Sequence, residues 1–166
     1  MSQIIRVEMV CLGNICRSPM AAALLHNKVA SISNPKIIVS SSGTSSWHVG
    51  EGPHPLSQKT WEAAGYQYQH IASQFNPHHF AELDLILAMD LTNRANILNA
   101  ATTSEEREKV KMLRSFDPEL ANIDPTSREG ERLQVPDPWG NEIEAYQEVY
   151  LMLERAVDGL VAHLTR

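Results

Sequence analysis

The stretch Cys11-Leu-Gly-Asn-Ile-Cys-Arg17-Ser18-Pro19 joins an apolar run to a segment with helical periodicity, and this junction predicts the fold. The run Ile4–Val10 is typical of a buried strand, and apolar residues at helical spacing follow Pro19. Ser18 suits the N-cap of that helix and Pro19 its first position, where a missing N–H costs nothing. A short loop leading into a helix N-terminus directs unpaired backbone N–H groups at an anion. The sequence therefore predicts a phosphate site.

One thiol and one guanidinium lie at the two ends of this loop. The positive field that holds a phosphate also stabilises a thiolate, so Cys11 is expected to be a nucleophile near neutral pH. Arg17 is expected to bind two phosphate oxygens at once, which a lysine does less well. Gly13 allows close backbone approach, and Asn14 tolerates a positive φ. The loop predicts phosphoryl transfer through a phosphocysteine intermediate.

Strands and helices are predicted to alternate along the rest of the chain. The predicted strands are Ile4–Val10, Lys36–Ser40, Leu83–Met89 and Val110–Phe116, and the predicted helices are Pro19–Ala30, Leu56–Gly65 with Ser57 as N-cap, Asp90–Ala101 and Glu142–Thr165. This alternation predicts a three-layer, Rossmann-like α/β fold, in which helices cover both faces of a four-stranded parallel sheet. Ligands in such folds bind beyond the C-terminal ends of the strands, where Cys11 lies. Residues 1–166 are interpreted as one domain, and the Pro- and Asp-rich stretch 117–139 as a functional loop.

Composition narrows the classes of partner and compartment. The chain has 166 residues, of which 43% are hydrophobic, and a net charge of −6. This acidic balance argues against nucleic acid or an anionic membrane as a general partner. The two cysteines share one loop and the seven histidines lack metal-ligand spacing, so we expect no disulfide framework, no metal and no cofactor. The N-terminus lacks the pattern of a signal peptide, and a monomer in a reducing cytosol is expected.

A phosphocysteine mechanism needs a proton donor for the leaving oxygen, and the candidate is Asp137 in Val135-Pro-Asp137-Pro138-Trp139-Gly140. Prolines on both sides stiffen the backbone that carries this carboxyl. An aspartate before a proline is also common in turns, and the residues alone leave the two interpretations about even. Trp47 lies on a polar, Gly-rich stretch with little core to pack in, so it is expected to face a ligand.

The loop resembles that of the low-molecular-weight protein tyrosine phosphatase family, which reads Cys-x-Gly-Asn-x-Cys-Arg-Ser-Pro near the N-terminus. The resemblance extends over nearly the whole chain and implies the fold called phosphotyrosine phosphatase I. It implies that Cys11 is the nucleophile, Arg17 the phosphate clamp and Asp137 the general acid and base. It also implies an aromatic slot between Trp47 and Trp139 that favours phosphotyrosine. The other residues placed at the phosphate or substrate by the resemblance are Leu12, Gly13, Asn14, Ile15, Cys16 and Ser18.

Several further positions match residues that support the loop in relatives. Asn14, Ser18, Ser42 and His70 match a hydrogen-bonded set behind the phosphate loop. Asp90 and Asn93 match a family Asp-x-x-Asn and are interpreted as a helix cap. His54 and Leu56 replace an Asp and an Arg that many relatives carry, so a structural ion pair is expected to be missing.

Three other functions fit parts of the pattern. Arsenate reductases share the fold and the loop but need further cysteines, and none follows Cys16. Phosphoarginine phosphatases tend to carry Thr where this chain has Ile15. A non-catalytic phosphate-binding module would need neither Cys11 nor Asp137.

The expected partners are phosphotyrosine proteins. Relatives act on two kinds, bacterial tyrosine kinases of polysaccharide export and host proteins that are reached by export without a signal peptide. Trp47-His-Val-Gly and Leu113-Arg-Ser-Phe-Asp-Pro resemble the actinobacterial branch of the family.

Overall fold

A four-stranded sheet forms the centre of the protein in a computed structural model that describes residues 3–166. The strands are β1 (Ile4–Cys11), β2 (Lys36–Gly43), β3 (Leu85–Ala88) and β4 (Val110–Met112). Their order is β2-β1-β3-β4, and every neighbouring pair is parallel. The predicted α/β fold with a four-stranded parallel sheet is confirmed.

Helices lie in the connections between successive strands, as parallel strand pairs require. The α-helices of residues 3–166 are α1 (Arg17–Lys28), α2 (Pro55–Ala63), α3 (Leu91–Ala100), α4 (Ser104–Glu108) and α5 (Ile143–Leu164). Short 3₁₀ segments lie at Pro77–Ala81, Leu113–Phe116, Pro118–Leu120 and Arg128–Leu133. Across this described part of the chain, no helix has the length and apolar character needed to cross a membrane.

The apolar side chains form two clusters, one on each face of the sheet. Side chains alternate along β1, so Val7 and Met9 pack on one face and Val10 on the other. α1, α2 and α5 cover the first face, where Trp61 of α2 is fully buried. α3 covers the second face through Ile97. Burial on both faces explains why the strands read as continuous apolar runs.

The start of α1 differs from the prediction. The helix begins at Arg17 with Cys16 as its N-cap residue, and no side chain caps it. Ser18 was the predicted N-cap, but its hydroxyl lies 3.0 Å from the sulfur of Cys11. Ser18, which was expected to cap the helix, therefore supports the phosphate loop instead.

Of the N-caps predicted for the next two helices, one is wrong and one is confirmed. α2 begins after His54, whose side chain accepts a hydrogen bond from the N–H of Leu56, so the predicted N-cap Ser57 is wrong. At α3 the predicted cap is confirmed, because Asp90 and Asn93 form a reciprocal capping box.

The fourth strand is shorter than predicted. β4 ends at Met112, which pairs with Ala88 at the end of β3. Beyond that point the sheet offers no partner strand, and the chain turns into the 3₁₀ segment Leu113–Phe116. This segment lies against the loop that carries Asp137.

Candidate active site

The loop between Cys11 and Arg17 lies where β1 ends and α1 begins, as predicted. The chain following β2 runs beside it, and the N–H of Thr44 donates to the carbonyl of Cys11 at 2.9 Å. Gly43 approaches so closely that a β-carbon there would lie 2.6 Å from the carbonyl oxygen of Leu12. A larger residue at this position would displace the loop, so glycine is required for its shape.

The thiol of Cys11 lies at the bottom of a pocket and is 2% exposed. The N–H of Asn14 donates to its sulfur at 3.3 Å, and the hydroxyl of Ser18 lies 3.0 Å away. The N–H of Asn14 and the positive end of α1 thus direct positive partial charge at this sulfur. These contacts suit Cys11 for nucleophilic attack.

Asn14 gives the loop its turn and its support. Its φ of 59° lies in the left-handed region, and its side chain is fully buried. The amide nitrogen donates to the hydroxyls of Ser18 at 2.8 Å and Ser41 at 3.0 Å, while its oxygen accepts from the N–H of Ser73 at 2.9 Å. His70 completes the set, with Nε2 at 2.6 Å from the carbonyl oxygen of Asn14. The strained backbone is thus held from three directions.

The side chain of Ser42 does not belong to this set, which corrects the sequence prediction. Successive side chains of a strand point to opposite faces, and the hydroxyl of Ser41 faces the loop. The hydroxyl of Ser42 donates instead to the buried carboxylate of Glu8 at 3.0 Å, on the other face of the sheet. Only the backbone carbonyl of Ser42 reaches the set, accepting from Ser18 at 3.4 Å. Three serines in a row give no sequence signal that separates Ser41 from its neighbours.

The hydrogen bonds of His70 define its tautomer. Nε2 must donate to the carbonyl of Asn14, which leaves Nδ1 to accept from the hydroxyl of Ser41 at 3.5 Å. Burial lowers the pKa of His70 below its usual value, although the hydrogen bond to Asn14 acts in the opposite direction. The neutral imidazole is therefore the form that supports the loop.

Arg17 is held in place before any substrate arrives. Its Nη1 donates to the carboxylate of Asp90 at 2.7 Å and to the carbonyl of Val135 at 2.9 Å. Burial alone would lower the pKa of Arg17, but the charges of Cys11 and Asp90 raise it above the ordinary value. The guanidinium is thus charged and fixed in plane, as bidentate binding of phosphate oxygens requires.

Asp137 lies across the pocket from the loop, with its side chain 47% exposed. One carboxylate oxygen accepts from the N–H of Trp139 at 3.1 Å, and the other is 3.9 Å from Nη2 of Arg17. Upstream, the N–H of Val135 donates to the carbonyl of Met89 at 2.8 Å, at the end of β3. The backbone of this loop, rather than contacts of the carboxyl itself, sets where the acid lies.

The pocket gathers most of the residues that sequence analysis placed at the substrate. Its lining consists of Cys11, Leu12, Gly13, Ile15, Cys16, Arg17, Trp47, His48, Asp137 and Trp139. Trp47 and Trp139 stand at its rim and are 73% and 61% exposed. Asn14 and Ser18 were predicted to contact phosphate, but their side chains are fully buried behind the loop and do not line the pocket.

His48 is the pocket residue that sequence reasoning missed. A β-carbon added at Gly13 would lie 3.0 Å from Cδ2 of His48, so the imidazole packs over the loop where glycine leaves room. Its Nδ1 is 3.0 Å from the carboxylate of Glu51. The signal for His48 was its place directly after Trp47, since both lie on the loop that forms the pocket wall.

Cys16 is a free thiol, as is Cys11, and it is buried. Its sulfur lies 3.7 Å from the hydroxyl of Tyr146 on α5. Burial raises the pKa of Cys16 to about 12. The two cysteines of the loop therefore differ in chemistry, and Cys16 stays protonated at neutral pH. Within residues 3–166, no three His, Cys, Asp or Glu side chains are grouped to hold a metal ion.

Comparisons with known proteins place these features in context. A family model described as low molecular weight phosphotyrosine protein phosphatase matches residues 6–166. A low molecular weight protein-tyrosine-phosphatase of Streptomyces coelicolor is 37% identical over 158 residues, covering 95% of this chain and 92% of that protein.

Solved structures show the same architecture. A protein tyrosine phosphatase from Entamoeba histolytica superposes with a TM-score of 0.82 and 29% identity, covering 96% of each chain. An arginine phosphatase from Geobacillus stearothermophilus superposes with a TM-score of 0.79 and 29% identity, covering 96% of this chain and 92% of that one.

Proposed function

This chain belongs to the low-molecular-weight phosphotyrosine protein phosphatase family, and we propose on that premise that it hydrolyses phosphotyrosine in proteins through a phosphocysteine intermediate. The observation that carries the proposal is the sulfur of Cys11, which is met by the N–H of Asn14 at 3.3 Å at the bottom of the pocket. We also propose that residues 1–166 form one phosphatase domain, because the family match covers residues 6–166.

In the first step, the sulfur of Cys11 attacks phosphorus as the bond from phosphorus to the tyrosyl oxygen breaks. The protonated carboxyl of Asp137 gives its proton to that oxygen, and tyrosine leaves. In the second step, a water molecule attacks the phosphocysteine while the carboxylate of Asp137 takes its proton. Inorganic phosphate and the thiolate of Cys11 are the products, so one carboxyl serves as acid and then as base.

Arg17 is proposed to hold the phosphate oxygens and follow their charge into the transition state. Because Nη1 is engaged by Asp90 and Val135, the guanidinium presents its remaining N–H groups in one orientation. A group positioned before reaction costs no reorganisation in the transition state, which is the main source of electrostatic catalysis.

The rim favours an aromatic leaving group. The indoles of Trp47 and Trp139 stand well exposed at the mouth, with Leu12 and Ile15 lining the pocket between the rim and the thiol. A phenyl ring can stack between such surfaces while its phosphate reaches the loop. Phosphoserine has no ring to stack on the indoles.

A peptide series tests the substrate class. Three peptides of one sequence, carrying phosphotyrosine, phosphoserine or phosphoarginine, are compared by kcat/KM. We expect the phosphotyrosine peptide to be the best substrate, and Cys11→Ser to abolish its turnover. Faster turnover of the phosphoarginine peptide would instead assign arginine phosphatase activity, as in the similar protein of Geobacillus stearothermophilus.

The acid role of Asp137 has its own signature. General acid catalysis contributes roughly 10²–10⁴-fold, so Asp137→Ala should lose about that much kcat/KM with phosphotyrosine. Tyrosine has a pKa of about 10 and needs the proton, whereas p-nitrophenolate leaves well without it. The loss with p-nitrophenyl phosphate should therefore be smaller. Because kcat/KM reports the first chemical step, slow breakdown of phosphocysteine cannot mask the difference.

We propose that the substrates are phosphotyrosine proteins met in the cytosol, which suits two free thiols in one loop. A bacterial tyrosine kinase and host proteins are the two classes to distinguish. Cys11→Ser retains the pocket but cannot form phosphocysteine, so it should retain bound phosphoproteins from a lysate. Release of those proteins by vanadate would show that they occupy the phosphate loop.

A further inference from the structure

Arg114 lies outside the pocket, yet it holds the loop that carries the acid. It belongs to the 3₁₀ segment Leu113–Phe116 that follows β4. Its Nη1 donates to two backbone carbonyls, at 2.8 Å to Gln134 and at 3.2 Å to Arg132. We propose that Arg114 is a positioning residue for the general acid Asp137, an inference that rests on the function proposed above.

The segment 132–135 is held along two sides. On the side of the sheet, Val135 bonds through its N–H to Met89 at 2.8 Å and through its carbonyl to Arg17 at 2.9 Å. On the other side, Arg114 supplies the bonds to residues 132 and 134. Without Arg114, the segment would keep the two bonds of Val135, the bond from the N–H of Leu91 to Oε1 of Gln134 at 3.0 Å and the buried side chain of Leu133. Of these, one bond of Val135 comes from Arg17, which substrate also engages. Arg114 therefore holds the loop independently of the phosphate.

The chain between residues 132–135 and Asp137 is stiff. Pro136 and Pro138 flank Asp137, and each proline fixes its own φ and restricts the residue before it. The carboxyl itself has few contacts, with the N–H of Trp139 at 3.1 Å as its hydrogen bond. A shift of residues 132–134 would therefore move the carboxyl rather than be absorbed before it.

Arg114 is itself rooted in a rigid part of the fold. Asp117, three positions later and 1% exposed, accepts a hydrogen bond from Nε of Arg155 on α5 at 3.2 Å. α5 presses so closely on this segment that a β-carbon at Gly159 would lie 1.8 Å from the carbonyl oxygen of Phe116. In the described part of the chain, the buried Nε of Arg114 has no hydrogen-bond partner. Arg114 thus leaves one buried N–H unpaired, while both of its hydrogen bonds go to the loop that carries Asp137. This favours a role in positioning that loop.

The expected consequence is selective for reactions that need the acid. If the carboxyl of Asp137 is displaced, protonation of a poor leaving group suffers while attack by Cys11 continues. Arg114→Ala should lose about tenfold in kcat/KM with phosphotyrosine, a part of the roughly 10²–10⁴-fold that acid catalysis supplies. With p-nitrophenyl phosphate, the loss should be less than about twofold by the same reasoning. A second variant, Arg114→Met, keeps the aliphatic stem and removes only the donors, so it tests the role if the alanine variant folds poorly.

Arg132→Ala is the matched control, because it removes a neighbouring arginine whose side chain is 57% exposed and, among residues 3–166, pairs only with Glu129. This variant should match wild type with both substrates. If Arg114 served only general stability, its variants would lose kcat/KM equally with both substrates and would also have a lower thermal midpoint. That result would overturn the proposal.

A double-mutant cycle gives the decisive comparison. Adding Arg114→Ala to Asp137→Ala should cost no further kcat/KM with phosphotyrosine, because the group being positioned is gone. A second tenfold loss in that background would show that Arg114 acts elsewhere and would overturn the inference, while the acid assignment would stand. If Asp137→Ala itself loses equally with both substrates, the acid assignment fails and the positioning role falls with it.

Discussion

Asn14 offers a measurement of how much the phosphate loop depends on its support. Asn14→Ala removes three side-chain hydrogen bonds, to Ser18, Ser41 and Ser73, each worth about 1 kcal/mol to stability. It also places alanine at a φ of 59°, which costs about a further 1 kcal/mol. We therefore expect the free energy of unfolding to fall by about 4 kcal/mol.

Asn122→Ala is the matched control, because Asn122 also has a positive φ, of 74°, but is exposed. It carries the backbone cost alone, about 1 kcal/mol. Urea unfolding of wild type and both variants gives the loss in free energy of unfolding for each. The difference between the two losses is the contribution of the Asn14 hydrogen bonds, about 3 kcal/mol, which corresponds to about 10 °C in thermal midpoint. Equal losses in the two variants would mean that the buried hydrogen bonds do not hold the loop, and the reasoning would be wrong.

Three further predictions follow from the same geometry. Arg17→Lys should fold but lose most of kcat, because an ammonium lacks the planar fork that lets a guanidinium bond to Asp90 through one nitrogen and to phosphate oxygens through the others; steady-state kinetics and a thermal melt check this. Iodoacetate should alkylate Cys11 before Cys16, whose pKa burial raises to about 12, and phosphate should protect Cys11; peptide mapping with equal, unprotected labelling would contradict it. Burial lowers the pKa of His70 from 6.5, so the stability gained from its neutral form is complete above pH 6.5 and is lost as the pH falls below that value. The difference in thermal midpoint between wild type and His70→Gln should therefore shrink as the pH falls below 6.5, which thermal melts at a series of pH values check.

The sequence predicts the parts of this protein that depend on local chemistry. The strand, loop and helix around Cys11 follow from an apolar run, a glycine and a residue that tolerates a positive φ. The capping box of Asp90 and Asn93 follows from side chains that bond within one turn. In each case the partners are close in sequence, so their spacing carries the information.

Contacts between distant segments are where prediction stops. Ser41 and Ser42 differ only in the face of β2 on which they lie, and one residue of register separates a loop support from a partner of Glu8. Ser18 looks like an N-cap because nothing in the sequence shows that its hydroxyl lies against the thiol of Cys11 instead. Arg114 reaches carbonyls about twenty positions ahead, and backbone carbonyls leave no trace in a sequence.

The central claim is a covalent phosphate on Cys11, and trapping that species tests it most directly. Wild-type protein is mixed with a phosphotyrosine peptide, quenched in acid within the first turnover and analysed by peptide mass mapping. We expect one phosphate, on the peptide that contains Cys11, and none on the same peptide of Cys11→Ala, a variant that leaves no side-chain nucleophile at this position. Phosphate on another side chain, or release of inorganic phosphate by Cys11→Ala at the wild-type rate, would contradict it.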